Sequence, residues 1–277
     1  MTRWTIALGM IAALIAAPVC AQEAKRPPLP WDQDAQILMA AQPDLNKAGI
    51  RTLATHVSDF EAALKRGPQY FPGGVVIEGH RYVMTDGPTD TLSALLAAAV
   101  GKDKDATTVT AVPNIYTMIA LQLGTYYNEM DQNEDAIRVL DAGIALDSSG
   151  AVPGSRVTLL IGEKGFALGR AKKFDQSLAV YQGGLKTVGI QPVDRARLER
   201  GEGFVLTEMG KLDEAEAAYK DSLKDEPNNP RAINELSYIA RLKAGGPRLP
   251  AASTLVEPRA KSPPPDSPQS DSPPQKP

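Results

Sequence analysis

The chain has 277 residues, enough for one or two domains at about 150 residues each. Its 30 Lys and Arg against 33 Asp and Glu leave a formal charge of -3, without the basic footprint of a general nucleic-acid binder. One Cys and two His exclude a disulfide framework and a zinc site built from Cys and His alone, and 5% aromatic content with abundant Ala and Leu favours packed helices over a β-sandwich.

Residues 1–21 read MTRWTIALGMIAALIAAPVCA: Arg3, an apolar run, then Pro18 and small residues. That is the shape of a secretory signal peptide, with cleavage expected after Ala21 because Val19 and Ala21 satisfy the small-x-small rule. The apolar run falls slightly short of the roughly 20 residues that span hydrocarbon, which weighs against a retained anchor. Cys20 offers a third route, a lipoprotein cysteine, although Ala17, Pro18 and Val19 fit the bacterial lipobox poorly. Cleavage after Ala21 leaves a mature chain without cysteine, suited to the periplasm or to secretion.

Pro27, Pro28 and Pro30 predict an extended arm over residues 22–43. Apolar residues at Leu45, Ile50, Leu53, Val57, Phe60 and Leu64 predict one long helix over residues 44–66. Two β-branched runs flank Glu78, Gly79, His80 and Arg81 and suggest a short hairpin, after which Thr89 and Asp90 are positioned to cap a helix running to about Val100. Residues 44–112 are therefore an N-terminal, mostly helical segment with a possible hairpin, either leading into the array that follows or forming a small module of its own.

Three stretches beginning at Thr117, Thr158 and Ala196 superpose without internal gaps. Small residues recur at the eighth, twentieth and twenty-seventh places: Gly124, Ala136 and Gly143; Gly165, Ser177 and Gly184; Gly203, Ala215 and Ser222. A bulky residue recurs at the eleventh and twenty-fourth, Tyr127 and Leu140, Leu168 and Tyr181, Leu206 and Tyr219. A fourth first helix starting at Pro230 carries Ile233, Leu236 and Ala240 and is expected to cap the array. The pattern, clearest in GKLDEAEAAYKDSLKDEPNNP (residues 210–230), resembles the tetratricopeptide repeat family. The resemblance implies an all-α solenoid of about three helical hairpins plus a capping helix over residues 113–243, small residues marking where helix axes approach. It departs from the family in its spacing of 41, 38 and 34 residues, and in Glu199 at the fourth place, where the family commonly has tryptophan.

Ten prolines in residues 247–277 make residues 244–277 a tail too poor in apolar area to offset its ordering entropy, with a reach of about 95 Å at ~3.1 Å per residue.

Chemistry-bearing motifs are sparse. Asp131, Asn133 and Asp135 imitate a calcium loop, but Ala136 and Ala142 stand where Gly and a bidentate Glu are required. GEG at residues 201–203 lacks the remaining glycine of a dinucleotide fingerprint. His80 is the one candidate for acid–base work, and His56 lies beside an apolar helix face. No enzyme, cofactor, metal or nucleic-acid partner is expected; an enzyme reading requires a pocket near His80.

The family resemblance implies that the second, fifth, ninth and twelfth places of the first helices line a concave groove. In the later rows these give Phe166, then Arg197, Arg200 and Phe204, then Arg231, Asn234, Tyr238 and Arg241. Arginine forks pair carboxylates and rigid aromatics supply contact area, so a protein or peptide partner bearing carboxylates and an apolar anchor is expected. The competing expectation is that the aromatics pack between helices and the arginines form a solvated or internally paired face.

Overall fold

The computed structural model describes residues 27–71, 73–99, 108–147 and 156–248. The signal-like segment with Cys20, most of the Pro-rich tail, and residues 148–155 between the first two repeats lie outside them.

Helix α1 (Asp32–Ala48) starts where Asp32 Oδ2 accepts the Leu29 N–H at 2.8 Å, and it buries Asp34, Leu38 and Ala41. The expected extended arm over residues 22–43 is thus corrected. The prolines stand just ahead of the first turn, where a helix loses no hydrogen bond to them. The single helix expected over residues 44–66 is corrected too. Gly49, at φ +80°, ends α1; a 3-10 segment (Ile50–Thr55) follows, and α2 (Val57–Arg66) begins afresh. The apolar spacing survives the break, with Leu53, Phe60 and Leu64 all buried in one core.

A second 3-10 turn (Gly67–Tyr70) leads to β1 (Val75–Ile77) and β2 (His80–Thr85). These form the expected antiparallel hairpin around Glu78 and Gly79, whose φ values of +53° and +75° match the primed turns that suit strand twist. Helix α3 (Pro88–Ala99) then carries the chain to β3 (Thr108–Pro113), which runs parallel to β2 with Val109 opposite Arg81. A parallel pair needs such a crossover.

From there the chain is helical: α4 (Ile115–Glu129), α5 (Asn133–Ala145), α6 (Val157–Arg170), α7 (Phe174–Leu185), α8 (Pro192–Glu208), α9 (Leu212–Asp225) and the capping α10 (Pro230–Lys243). The three hairpins turn at the same place. Asp131, Lys172 and Gly210, each fifteenth in its repeat, take φ values of +61°, +59° and +78°. The next residue donates its N–H to the carbonyl five positions back in each case, Gln132 to Tyr127, Lys173 to Leu168 and Lys211 to Leu206, at 2.8–2.9 Å.

The small residues sit where helices touch. A Cβ on Gly124 would lie 2.4 Å from Leu140, and the Tyr181 ring covers both Gly165 and Gly201, where an added Cβ would meet it at 2.5 and 2.2 Å. One core runs from Leu29 to Ala167, so the N-terminal segment is packed onto the first repeat. Polar contacts tie the two together. The Tyr116 hydroxyl donates to Asp34 at 2.7 Å, while Asp86 accepts from Thr117 at 2.5 Å, from Asn114 at 2.8 Å and from Arg156 at 3.2 Å. Beyond Ala167 the interior divides into smaller clusters, one around Tyr181 and Leu198, the other around Tyr219 and Ile239.

Candidate partner-binding groove

Helices α6 and α8, the first helices of the last two hairpins, and the capping α10 turn one face to a common hollow. Its volume is about 270 Å³. Phe166, Arg197, Arg200, Phe204 and Arg231, five of the eight residues the sequence nominates, line it. Asn234, Tyr238 and Arg241 lie beyond its edge on α10. Asn229 sets the start of that helix, its side-chain oxygen accepting the N–H groups of Arg231 and Ala232 at 3.1 and 3.3 Å.

The aromatic row is less open than the family resemblance implies. Phe204 is only 5% exposed, its ring filling the space that Gly169 leaves on α6, and Tyr238 is 7% exposed. Phe166 remains half-buried, with the Arg170 guanidinium 5.8 Å from its ring centre; Arg241 sits 5.3 Å over Tyr238. The arginines are largely engaged within the chain. Arg197 pairs with Asp194 at 2.6 Å, and Arg200, its side chain 17% exposed, pairs with Glu226.

Sequence reasoning missed the acidic part of the lining. Glu163 and Glu235 reach the hollow, beside the Tyr181 and Tyr219 rings. Burial raises the Glu163 carboxyl, an effect partly offset by Asn128 Nδ2 at 2.8 Å and by Arg197. Glu235 is pushed up to about 7 by burial and by Glu208 on α8. A glutamate on an amphipathic helix reads as solvated, and no local signal distinguishes one that a neighbouring hairpin will cover. Glu199, the unusual fourth-place residue, is likewise pushed up to about 7, by burial and then by Asp221 and Asp225 on α9; its Oε2 is buried without a hydrogen bond.

Other nominated residues have ordinary surroundings. His80 lies in β2, its ring nitrogens 2.5 and 2.7 Å from the hydroxyls of Thr108 and Thr110 and its ring against Tyr82. His56 precedes α2, half-buried, 3.9 Å from Asp44. Asp131 accepts from Arg170 at 2.7 Å and from Asn133 at 3.0 Å, and Asp135 pairs with Arg138. They form a turn and a helix start. Among the described residues no group of His, Cys, Asp or Glu is placed to hold a metal, and no helix is long and apolar enough to cross a membrane.

The recurring frame, with its left-handed fifteenth place and its small residues at the crossings, settles the architecture. The fold is tetratricopeptide-like. No family model matches the chain, and no curated protein matches it. Among solved structures, part of the chain is similar to the first TPR domain of human RPAP3, at 22% identity and a TM-score of 0.40 over 47% of this chain and 93% of that one. It is similar to the first TPR of Spaghetti (RPAP3) bound to the HSP90 peptide SRMEEVD, at 22% identity and 0.40 over 48% and 97%. The second TPR domain of human RPAP3, in complex with the HSP70 peptide SGPTIEEVD, is similar at 24% identity and 0.37 over 45% and 98%.

Proposed function

We propose that the chain is an exported, non-enzymatic helical-repeat scaffold of the periplasm that holds a segment of a partner protein in the hollow faced by α6, α8 and α10. The observation that carries this reading is the convergence of Phe166, Arg197, Arg200, Phe204 and Arg231 on one cavity, from two successive hairpins and the capping helix. Stacked repeats present extended concave surfaces, and extended or helical segments suit such faces. Because Arg197 and Arg200 already hold Asp194 and Glu226, carboxylates of the partner are expected to pair first with Arg241, exposed on α10. The signal-like residues 1–21 and the absence of cysteine beyond Cys20 support the compartment.

The test is site-resolved crosslinking in the producing cell. A photo-reactive residue at Phe166 is expected to capture a discrete protein that the same residue at Lys220, on the outer α9, does not. Replacing Phe166 and Arg197 together by Ala is expected to cut a capture made from the Asn234 position at least tenfold while the helical circular dichroism stays unchanged. Equal capture from the two faces overturns the reading. The mass of the mature amino terminus checks cleavage after Ala21. Cys20 favours a second reading, an envelope-attached assembly factor or lipoprotein whose Pro-rich tail is a spacer, and labelled palmitate on the mature chain would establish it.

A further inference from the structure

Strand β3 is an open edge. Among the described residues it has β2 on one side and no strand on the other, and residues 108–113 carry no charge, the usual guard of such an edge. The Asn114 N–H donates to the Thr85 carbonyl at 2.9 Å, which fixes the phase of the strand. Residues two apart face the same way, so Thr110 and Val112 turn their N–H and C=O groups to β2, whereas Val109 and Ala111 turn theirs outward. Pro113 has no N–H, and the donors of the edge stop before it. The outward set is therefore short and symmetric about Thr110.

An apolar stripe lies beside this edge. Leu92, Leu95 and Leu96 on α3 are 57%, 42% and 55% exposed, and no charged residue occurs from Thr91 to Ala99. Thr91 faces the sheet, its hydroxyl 2.9 Å from that of Thr85. At 3.6 residues per turn the three leucines lie about 40° to 140° round the helix from Thr91. Crossovers between parallel strands are right-handed, and in that hand this rotation leads from the sheet towards the β3 side. The stripe thus overlooks the open edge.

We infer that β3 pairs antiparallel with β3 of a second copy of this chain about a two-fold axis at Thr110. The two three-stranded sheets then form one, on which the two α3 helices meet through Leu92, Leu95 and Leu96. Hydrogen bonding and spacing both single out a second copy. With Thr110 opposite its counterpart, Val109 falls opposite Ala111, and the N–H of each donates to the carbonyl of the other, which uses every outward group of the pair. Helix α3 touches both β2 and β3, so it stands over the gap between them. With strands about 4.8 Å apart and the axis half a spacing outside β3, the two α3 helices lie about 9.6 Å apart, within the 8–10 Å of packed helices. A lone extended peptide would fill the edge and leave the leucines in water. One short strand and one helix face a side fall below the about 800 Å² per partner of a standard interface, so the dimer is expected to be reversible, in the micromolar range.

The experiment uses the full chain with Cys20→Ser, so that an introduced cysteine is its only one. Thr110→Cys is expected to yield a disulfide-linked dimer on mild oxidation, because directly opposed residues of a non-hydrogen-bonded pair have Cα atoms about 4.5 Å apart. Thr108→Cys, exposed on the same face, stands about 13 Å from its counterpart along the strand and is expected to remain monomeric. Sedimentation of the unaltered chain at about 1–200 µM is expected to show a monomer–dimer equilibrium. Leu92→Gln with Leu96→Gln, both exposed and so neutral to the fold, is expected to weaken it at least tenfold with the helical circular dichroism unchanged. Ala111→Pro, which removes an outward N–H and keeps the bonds to β2, should weaken it similarly. A chain that stays monomeric throughout overturns the inference, and so does equal crosslinking at positions 108 and 110. A dimer unaffected by the leucine pair places the contact elsewhere and overturns it as well. Uptake of a monomeric chain by phospholipid vesicles, lost in the leucine variant, would make a membrane the occupant instead.

Discussion

The two ends of the helical array differ in how completely they match their covered acids, since Asp194 and Asp225 at the carboxy-terminal end hold arginines while Glu199 Oε2 does not find a donor. At the amino-terminal end each is matched to donors: Asp34 to Arg66 and Tyr116, Asp86 to Asn114, Thr117 and Arg156, Glu61 to Tyr127 and Arg138. At the carboxy-terminal end Glu199 Oε2 lies buried without a hydrogen bond, and Glu235, 7% exposed, lines the hollow. Both ends share the same hairpin geometry, so the repeat does not dictate the difference. What differs is the neighbour. The strand-containing segment closes the first repeat and brings Asp34, Glu61 and Asp86 against donors that, apart from Arg66, stand on the array side of the contact, whereas α8 and α10 flank a hollow. A satisfied buried network defines a unique arrangement; an unsatisfied one is a place where a ligand can complete it.

The sharpest way to break this contrast is to compare two asparagines that cap first helices. Asn114 is fully buried, caps α4, and also donates to Asp86 and to the Leu146 carbonyl at 2.7 Å. Asn229 caps α10 near the surface. Asn114→Ala is expected to cost about 3 kcal/mol and Asn229→Ala about 1 kcal/mol in urea denaturation, since only the first strands buried partners. Equal losses would mean that the closed end gains nothing from its network.

Acid–base behaviour should differ in sign between the ends. Glu235 titrates near 4.5 unfolded and about 7 folded. Its raised folded value means that the native state holds the extra proton between these pH values, so stability is full below the unfolded value and falls as pH rises toward 7. Glu61 is the reverse: against burial, Arg138 and Tyr127 hold it below the usual carboxylate range, so its contribution is present at neutral pH and lost as pH falls through its folded value. Urea midpoints at pH 4 and 8 are expected to show Glu235→Gln more stable than the unaltered chain at pH 8, by on the order of 2 kcal/mol, with little difference at pH 4. Glu61→Gln should destabilise at pH 7 and be near neutral at pH 3.

The smallest effect concerns what the two ends share. Lys172 occupies a left-handed turn that Gly210 occupies without strain. Lys172→Gly is expected to stabilise by about 0.5–1 kcal/mol, the left-handed penalty outweighing the entropy glycine adds to the unfolded chain, with a rise of a few degrees in thermal melting.

Much of the array was legible. Gly124, Gly165 and Gly203 recur at one interval because two helix axes can approach closely only where a side chain is missing, and that constraint is written into the order of residues. The N-terminal segment was less so. The prolines before Asp32 look like an extended arm, yet they stand outside a helix that its contacts with α2 and α4 hold in place. Thr108, Val109, Thr110 and Val112 carry the β-branched signal of a strand, but its partner lies across α3. In the groove, five of eight nominated residues converge on the cavity, while Glu163 and Glu235, the two acids of its lining, carried no mark.

Local order was enough to specify helices, their pairing into hairpins and the spacing of their contacts, since these depend on residues fewer than 35 places apart. Which aromatics are covered, which arginines are already paired and which glutamate is left alone depend on how hairpins dock onto one another. Apart from the Arg197–Asp194 pair, three residues apart on one helix, those are decided by packing between separate segments, where burial sets the energy of a charge.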